Sequence, residues 1–231
     1  MSTYVLVHGG WDGGWAWTGV ARELRAAGHE AFTPTLTGSG ERAHLAGPEI
    51  DLATHILDIV NVLRYENLQD VILVGSSGGG MVITGVAERV PERIGHLIYL
   101  DGFVPQDGQS IGHLLGADVM AGFDEVAQTS GDGWRVPLGV PDADRRTDVM
   151  LKMVKQPLAV NNPDAVRLKR TYVLFTGKPA DSFLTPVFER IAARIRQEKG
   201  WSYHERPFVH YPCLDQPNGP QEVAKLLLEI T

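Results

Sequence analysis

Three observations predict an α/β chain built on a six-stranded, mostly parallel sheet with helices on both faces. Short apolar, β-rich runs recur along the 231 residues. Helical patterns with one apolar face lie between them. Several runs end in Gly-rich or polar turns that carry reactive side chains. Strands alternating with helices require right-handed crossovers, hence parallel pairing and helical cover on both faces.

The first run, Tyr4–Val7, leads into "HGGWDGG". Residues 17–27 follow as a helix with Val20, Leu24 and Ala27 on one face, then a short run at Ala31–Thr33 ends in "TGSGERAH". Residues 51–64 carry Ile56, Ile59, Val60 and Leu63 at helical spacing. Val71–Val74 is a continuous apolar run, the signature of a strand buried on both faces. "GSSGGG" follows it, and Met81, Val82, Val86 and Val90 then recur as a helix. Leu97–Leu100 ends in "DGFVP", Thr171–Phe175 in "TGKPADS", and Trp201–Glu205 in "RPFVHYP". Residues 220–230 close the chain with Val223, Leu226, Leu227 and Ile230 on one helical face. The alternation lapses over 105–163, which reads as a lid inserted into a core of 1–104 and 164–231, with a helical piece expected over Asp144–Val154.

Composition narrows the function classes. A net charge of −7 with no basic cluster argues against a nucleic-acid surface. No apolar stretch approaches the length of a membrane span, and residues 1–10 lack the basic start of a signal peptide, so a cytoplasmic protein is expected. The single cysteine, Cys213, suits a reducing compartment. The expected partner is a small-molecule substrate, with no nucleic acid and no membrane; a homodimer is compatible with the sequence.

In an open parallel sheet, ligands bind beyond the carboxyl ends of the strands. Gly75-Ser76-Ser77-Gly78-Gly79 fits G-x-S-x-G between a strand and a helix, a sharp turn that holds the central Ser77 clear of its neighbours. A phosphate-binding reading is weaker, because no G-x-x-x-x-G-K-[ST] occurs and Gly38-Ser39-Gly40 is followed by Ala at position 43. Serine needs a base, and His210, after the last strand and before the last helix, is the best-placed of eight histidines. His8 more plausibly braces the first glycine loop. Two carboxylates compete to orient the imidazole: Asp101, ending a buried strand, and Asp181, one strand later in a polar loop. Asp101 is preferred. Backbone N–H groups of Gly10 and Gly78 are the candidate oxyanion donors. Trp11, Trp134, Met150 and Met153 are candidates for an apolar substrate pocket, though each also suits a core position.

The segments "YVLVHGGWDGGWAW", "VILVGSSGG", "IYLDGFVPQDGQS" and "QEVAKLLLEI" make the chain resemble an α/β-hydrolase of the methylesterase and hydroxynitrile lyase branch with its bacterial esterase relatives. The resemblance implies an α/β-hydrolase fold and a serine hydrolase acting on a small hydrophobic or aromatic ester, carbamate or amide, with no metal or organic cofactor. It also implies that the acid follows the penultimate strand, as in the plant branch, which favours the Asp181 loop. Haloalkane dehalogenases place theirs where Asp101 stands but need Asp, not Ser, at the elbow. Hydroxynitrile lyases place Lys after the histidine and Thr in the oxyanion loop, where Tyr211 and Gly9 stand here. A lyase on cyanohydrins and a non-catalytic ligand-binding scaffold are the competing readings.

Overall fold

The six apolar runs become six parallel strands. In the computed structural model, which describes residues 1–138 and 145–231, they form one sheet in the order β2-β1-β3-β4-β7-β8. Going along the chain, β1 (Thr3–Val7) is followed by α1 (Thr18–Ala26), β2 (Glu30–Phe32), α2 (Leu52–Tyr65), β3 (Val71–Ser76), α3 (Gly79–Arg89) and β4 (Ile94–Leu100). Then come α4 (Ile111–Leu115), α5 (Ala117–Ser130), β5 (Arg135–Val136), β6 (Val149–Met150), α6 (Leu151–Lys155) and α7 (Pro163–Val166). The chain returns to the sheet through β7 (Lys169–Phe175), α8 (Thr185–Ile195) and β8 (Trp201–Arg206), and ends in α9 (Pro212–Asp215) and α10 (Gly219–Ile230).

Strand period 2 divides the apolar residues between two cores. Val5, Val7, Leu73, Leu97, Tyr99, Tyr172 and Leu174 face α2, α3 and α8, whereas Tyr4, Leu6, Ile72, Val74, Ile98, Leu100, Val173 and Phe175 face α1 and α10. Both faces are therefore dry, which is why the strands read as continuous apolar runs. Each such Val, Leu or Ile contributes roughly 1.5–3 kcal/mol by leaving water.

The strand order reverses between β1 and β3: β1 pairs with β2 on one side and β3 on the other. The loops leaving β1 and β3 consequently diverge and open a crevice at their carboxyl ends, where Gly10 and Ser77 lie.

The stretch between β4 and β7 folds into short elements. The helical pattern expected over 144–154 is only partly realised. Residue 144 lies outside the described residues, Val149 and Met150 pair with Val136 and Arg135 as a two-stranded ribbon, and helix runs only over Leu151–Lys155. A β-branched residue at 149 facing another at 136 favours the ribbon. No helix among the described residues is long and apolar enough to cross a membrane.

Candidate active site

Three strand ends carry non-glycine residues in the left-handed backbone region: Trp11 after β1 (φ 63°), Ser77 after β3 (φ 50°) and Asp101 after β4 (φ 44°). Such conformations cost energy and persist where the surroundings over-determine them, often at reactive sites. Around Ser77 the support is visible. Its N–H donates to the Leu100 carbonyl at 3.4 Å, and its carbonyl accepts from Gly80 N–H and Phe103 N–H, both at 3.0 Å. A Cβ at position 79 would sit 2.6 Å from the Val7 carbonyl oxygen, so α3 can start against β1 only with glycine there.

Asp101 is fully buried and saturated with donors. Its Oδ2 accepts from His210 Nδ1 at 2.7 Å; Oδ1 accepts from Lys178 Nζ at 2.7 Å and Phe175 N–H at 3.2 Å. A carboxylate only accepts, so Nδ1 bears the imidazole proton and Nε2 presents a lone pair. Nε2 is buried without a hydrogen-bond partner, and the Ser77 hydroxyl does not bond to it in this structure. The ring is held from two sides, stacked on Phe188 at 5.2 Å and set edge-on against Tyr211 at 4.6 Å.

Ser77, Gly10, Gly78, Trp11 and Met153 line one apolar cavity. A Cβ on Gly78 would stand 3.5 Å from the Gly10 nitrogen, so the two glycines adjoin at the cavity floor. Phe103, Ile111, Leu115, Phe123, Val149 and Phe183 complete much of its wall. These residues were not singled out from the sequence. Phe123 and Phe183 are brought there from α5 and the loop before α8 and meet edge to face at 6.2 Å, a juxtaposition that no local pattern announces.

Three sequence candidates lie elsewhere. Asp181 is exposed in the loop after β7, while Asp101 holds the imidazole. Met150 is absent from the cavity wall because alternation on β6 turns Val149 toward it and Met150 away, onto Gly38. Trp134 is also absent from the wall; it packs against the main core with the Arg135 guanidinium 5.5 Å from its ring.

His210 itself lines a second cavity, together with His8, Asp12, Trp17, Tyr211 and Cys213, and is absent from the wall of the Ser77 cavity. His8 braces the β1 loop as expected: Nδ1 bonds the Gly9 carbonyl at 2.8 Å and Nε2 accepts from Leu36 N–H at 3.1 Å, while burial pushes its pKa down to about 4. Burial pushes Asp12 up to about 7, against the pull of Arg146 at 3.3 Å.

Residues 4–219 match the model of the alpha/beta hydrolase family. The chain belongs to that family. As an alpha/beta hydrolase it is 39% identical to a carbendazim hydrolyzing esterase of Nocardioides sp. (strain SG-4G), over 94% of this chain and 96% of that one. It is 32% identical to methylesterase 1 of Arabidopsis thaliana over 48% of this chain and 43% of the relative. Among solved structures, an extracellular alpha/beta-hydrolase from a Paenibacillus species superposes with a TM-score of 0.82 at 21% identity, covering 99% of this chain and 98% of that one, and shares its fold. The chain is an enzyme of the hydrolase kind.

Proposed function

We propose that this alpha/beta hydrolase is a serine esterase that cleaves small hydrophobic or aromatic esters, carbamates included, through an acyl-enzyme on Ser77. The observation that carries the reading is the His210 Nδ1–Asp101 Oδ2 bond of 2.7 Å with Nε2 left free, Asp101 ending the strand next to the one that ends in a serine held at positive φ over an apolar cavity. His210 Nε2 takes the Ser77 proton once the hydroxyl swings toward it, a contact that tightens when substrate occupies the cavity. The alkoxide attacks the carbonyl, and Gly10 and Gly78 N–H groups receive the oxyanion, each contributing roughly 3 kcal/mol to the transition state. His210 then protonates the leaving group, and a water activated at the same nitrogen frees Ser77. Asp101 orients the imidazole and stabilises the imidazolium. The apolar walls from α4, α5, β6 and α6 select neutral, flat substrates and act as the lid. The named activities of the bacterial and plant relatives support an ester-type bond.

The cyanohydrin-lyase reading finds less support. A Cβ at position 9 would come 2.8 Å from the Ser77 Cβ, so a threonine there would collide with the nucleophile.

A fluorophosphonate is expected to label Ser77 stoichiometrically, and p-nitrophenyl acetate to turn over steadily, with turnover lost in His210→Ala. Absence of label would favour a non-catalytic scaffold, and cyanide release from mandelonitrile without ester turnover would favour a lyase.

A further inference from the structure

The loop after β7 contributes its lysine, not its aspartate, to the site. Lys178 has a side chain 2% exposed, against 0% for Asp101, and its ammonium lies 2.7 Å from Oδ1. It also donates to the Phe175 carbonyl and sits 5.6 Å from the Phe188 ring centroid, the same ring that stacks on His210. A buried ammonium is tolerated only beside a compensating charge. Here that charge is the carboxylate that grips the imidazole.

We propose that Lys178 is a positioning residue: clamped between Asp101 Oδ1 and the Phe175 carbonyl, it fixes the carboxylate toward His210 and reduces the negative charge that the imidazole faces. The proposal rests on the serine-esterase reading for the role of His210. With the imidazole neutral, the buried lysine and aspartate cancel. A proton added at Nε2 leaves a net positive charge in a dry site and is opposed by Lys178. Removal of the ammonium is therefore expected to show in the acid limb of the pH–rate profile.

Other groups around these charges are accounted for. Tyr172 of β7 and Tyr203 of β8 feel Asp101, and Arg194 of α8 lies near Tyr172; burial raises both tyrosines, which stay neutral on the acid side. Tyr211, raised by burial, has Asp12, Arg146 and Asp215 around it. Asp12, pushed up to about 7 by burial, titrates in the relevant range. It is common to every variant below and cancels in their comparison.

The test is a pH profile of kcat/KM for p-nitrophenyl acetate in the wild type, Lys178→Met, Asp101→Asn and the double variant. Where turnover is too slow, the rate of Ser77 labelling by a fluorophosphonate replaces it. Lys178→Met is expected to move the acid-side midpoint upward by about one pH unit, lower kcat and leave KM in place, since Lys178 does not line the apolar cavity. In the Asp101→Asn background the same change is expected to leave kcat where the single Asp101→Asn variant has it, because no carboxylate remains for Lys178 to position. Lys178→Gln keeps a donor for Oδ1 while removing the charge, and takes over if the methionine variant does not fold. An unmoved midpoint in the charge-free variant, or an equal fall in kcat without the Asp101 carboxylate, overturns the proposal and leaves a purely structural lysine. Full turnover in Asp101→Asn would instead defeat the assignment of Asp101 itself, a distinct outcome.

Discussion

At Asp101, φ is 44° and three donors converge on one carboxylate that no water reaches. That concentration of strain and charge is why the proposed mechanism gives the orienting role to Asp101 and not to Asp181, which is exposed. Asp101→Asn keeps the shape but offers Nδ1 an amide that can present a donor, so the wrong imidazole tautomer is favoured. A loss in kcat of about 10³–10⁴-fold is expected, with Asp181→Asn within about twofold of wild type, both read in steady-state turnover of p-nitrophenyl acetate. The reverse pattern would transfer the role to the later loop. The places of Ser77, His210 and Asp101 were legible in the sequence because each closes or follows a strand, and a strand end has a known address in a parallel sheet. Lys178 was not legible. In "TGKPADS" it reads as one more solvated cation, and only the close approach of β4 and β7, with Tyr99 opposite Tyr172, draws it under Asp101.

Elements were legible to the extent that their period is local. All six strands lie where the apolar runs placed them, and α1, α2, α3 and α10 follow their apolar faces. Helix α5 has only Ala127 buried, while Met120 and Phe123, at helical spacing with it, stay half-buried and make only a short, weak stripe. The walls of the Ser77 cavity come in part from such weakly patterned pieces, and their position depends on anchors elsewhere. One anchor is the start of α2. Asp51 caps it by accepting from Thr54 N–H at 3.0 Å, and Gln156 Oε1 accepts from Ala53 N–H at 3.0 Å, tying α2 to the end of the α6 segment that carries Met153. Lys152 of α6 lies 3.7 Å from the same aspartate. Burial alone would raise the Asp51 carboxyl, but the Thr54 hydrogen bonds and Lys152 outweigh it and hold it below its ordinary value of 3.8. Its contribution is thus present above pH 3.8 and lost as pH falls through the lowered value. Asp51→Ala is expected to cost about 1 kcal/mol in urea denaturation at neutral pH. The same variant should lose little in strongly acidic solution, where the wild-type cap is already protonated. An equal cost at both pH values would mean that the carboxylate charge plays no part in the cap.

Across the whole molecule, histidines buried in their neutral form set how stability responds to acid. Burial lowers His8 and His96 to about 4, from an ordinary 6.5, and lowers His55 as well. Below pH 6.5 the unfolded chain takes up protons that the folded chain refuses until about pH 4, so these groups make stability fall as pH falls through that window. Asp12 acts the other way. Raised to about 7 from 3.8, it binds its proton earlier in the folded state and adds stability as pH drops from 7 toward 3.8. The histidines outnumber it, and the expected net trend is a loss from pH 6.5 downward. His96 isolates one share of that loss, since it sits on β4, away from the cavity of Ser77, with Nε2 bonded to Thr171 Oγ1 at 2.8 Å. Glutamine can keep that bond without titrating. His96→Gln should therefore make the fall between pH 6.5 and 4 shallower by about 1.4 kcal/mol per pH unit, read from urea midpoints at several pH values. Ester turnover at neutral pH should be unchanged, because the imidazole it removes is already uncharged there. A slope identical to wild type would show that His96 gains its proton in the folded protein as readily as in the unfolded chain, and the acid sensitivity would then belong to His8 and His55.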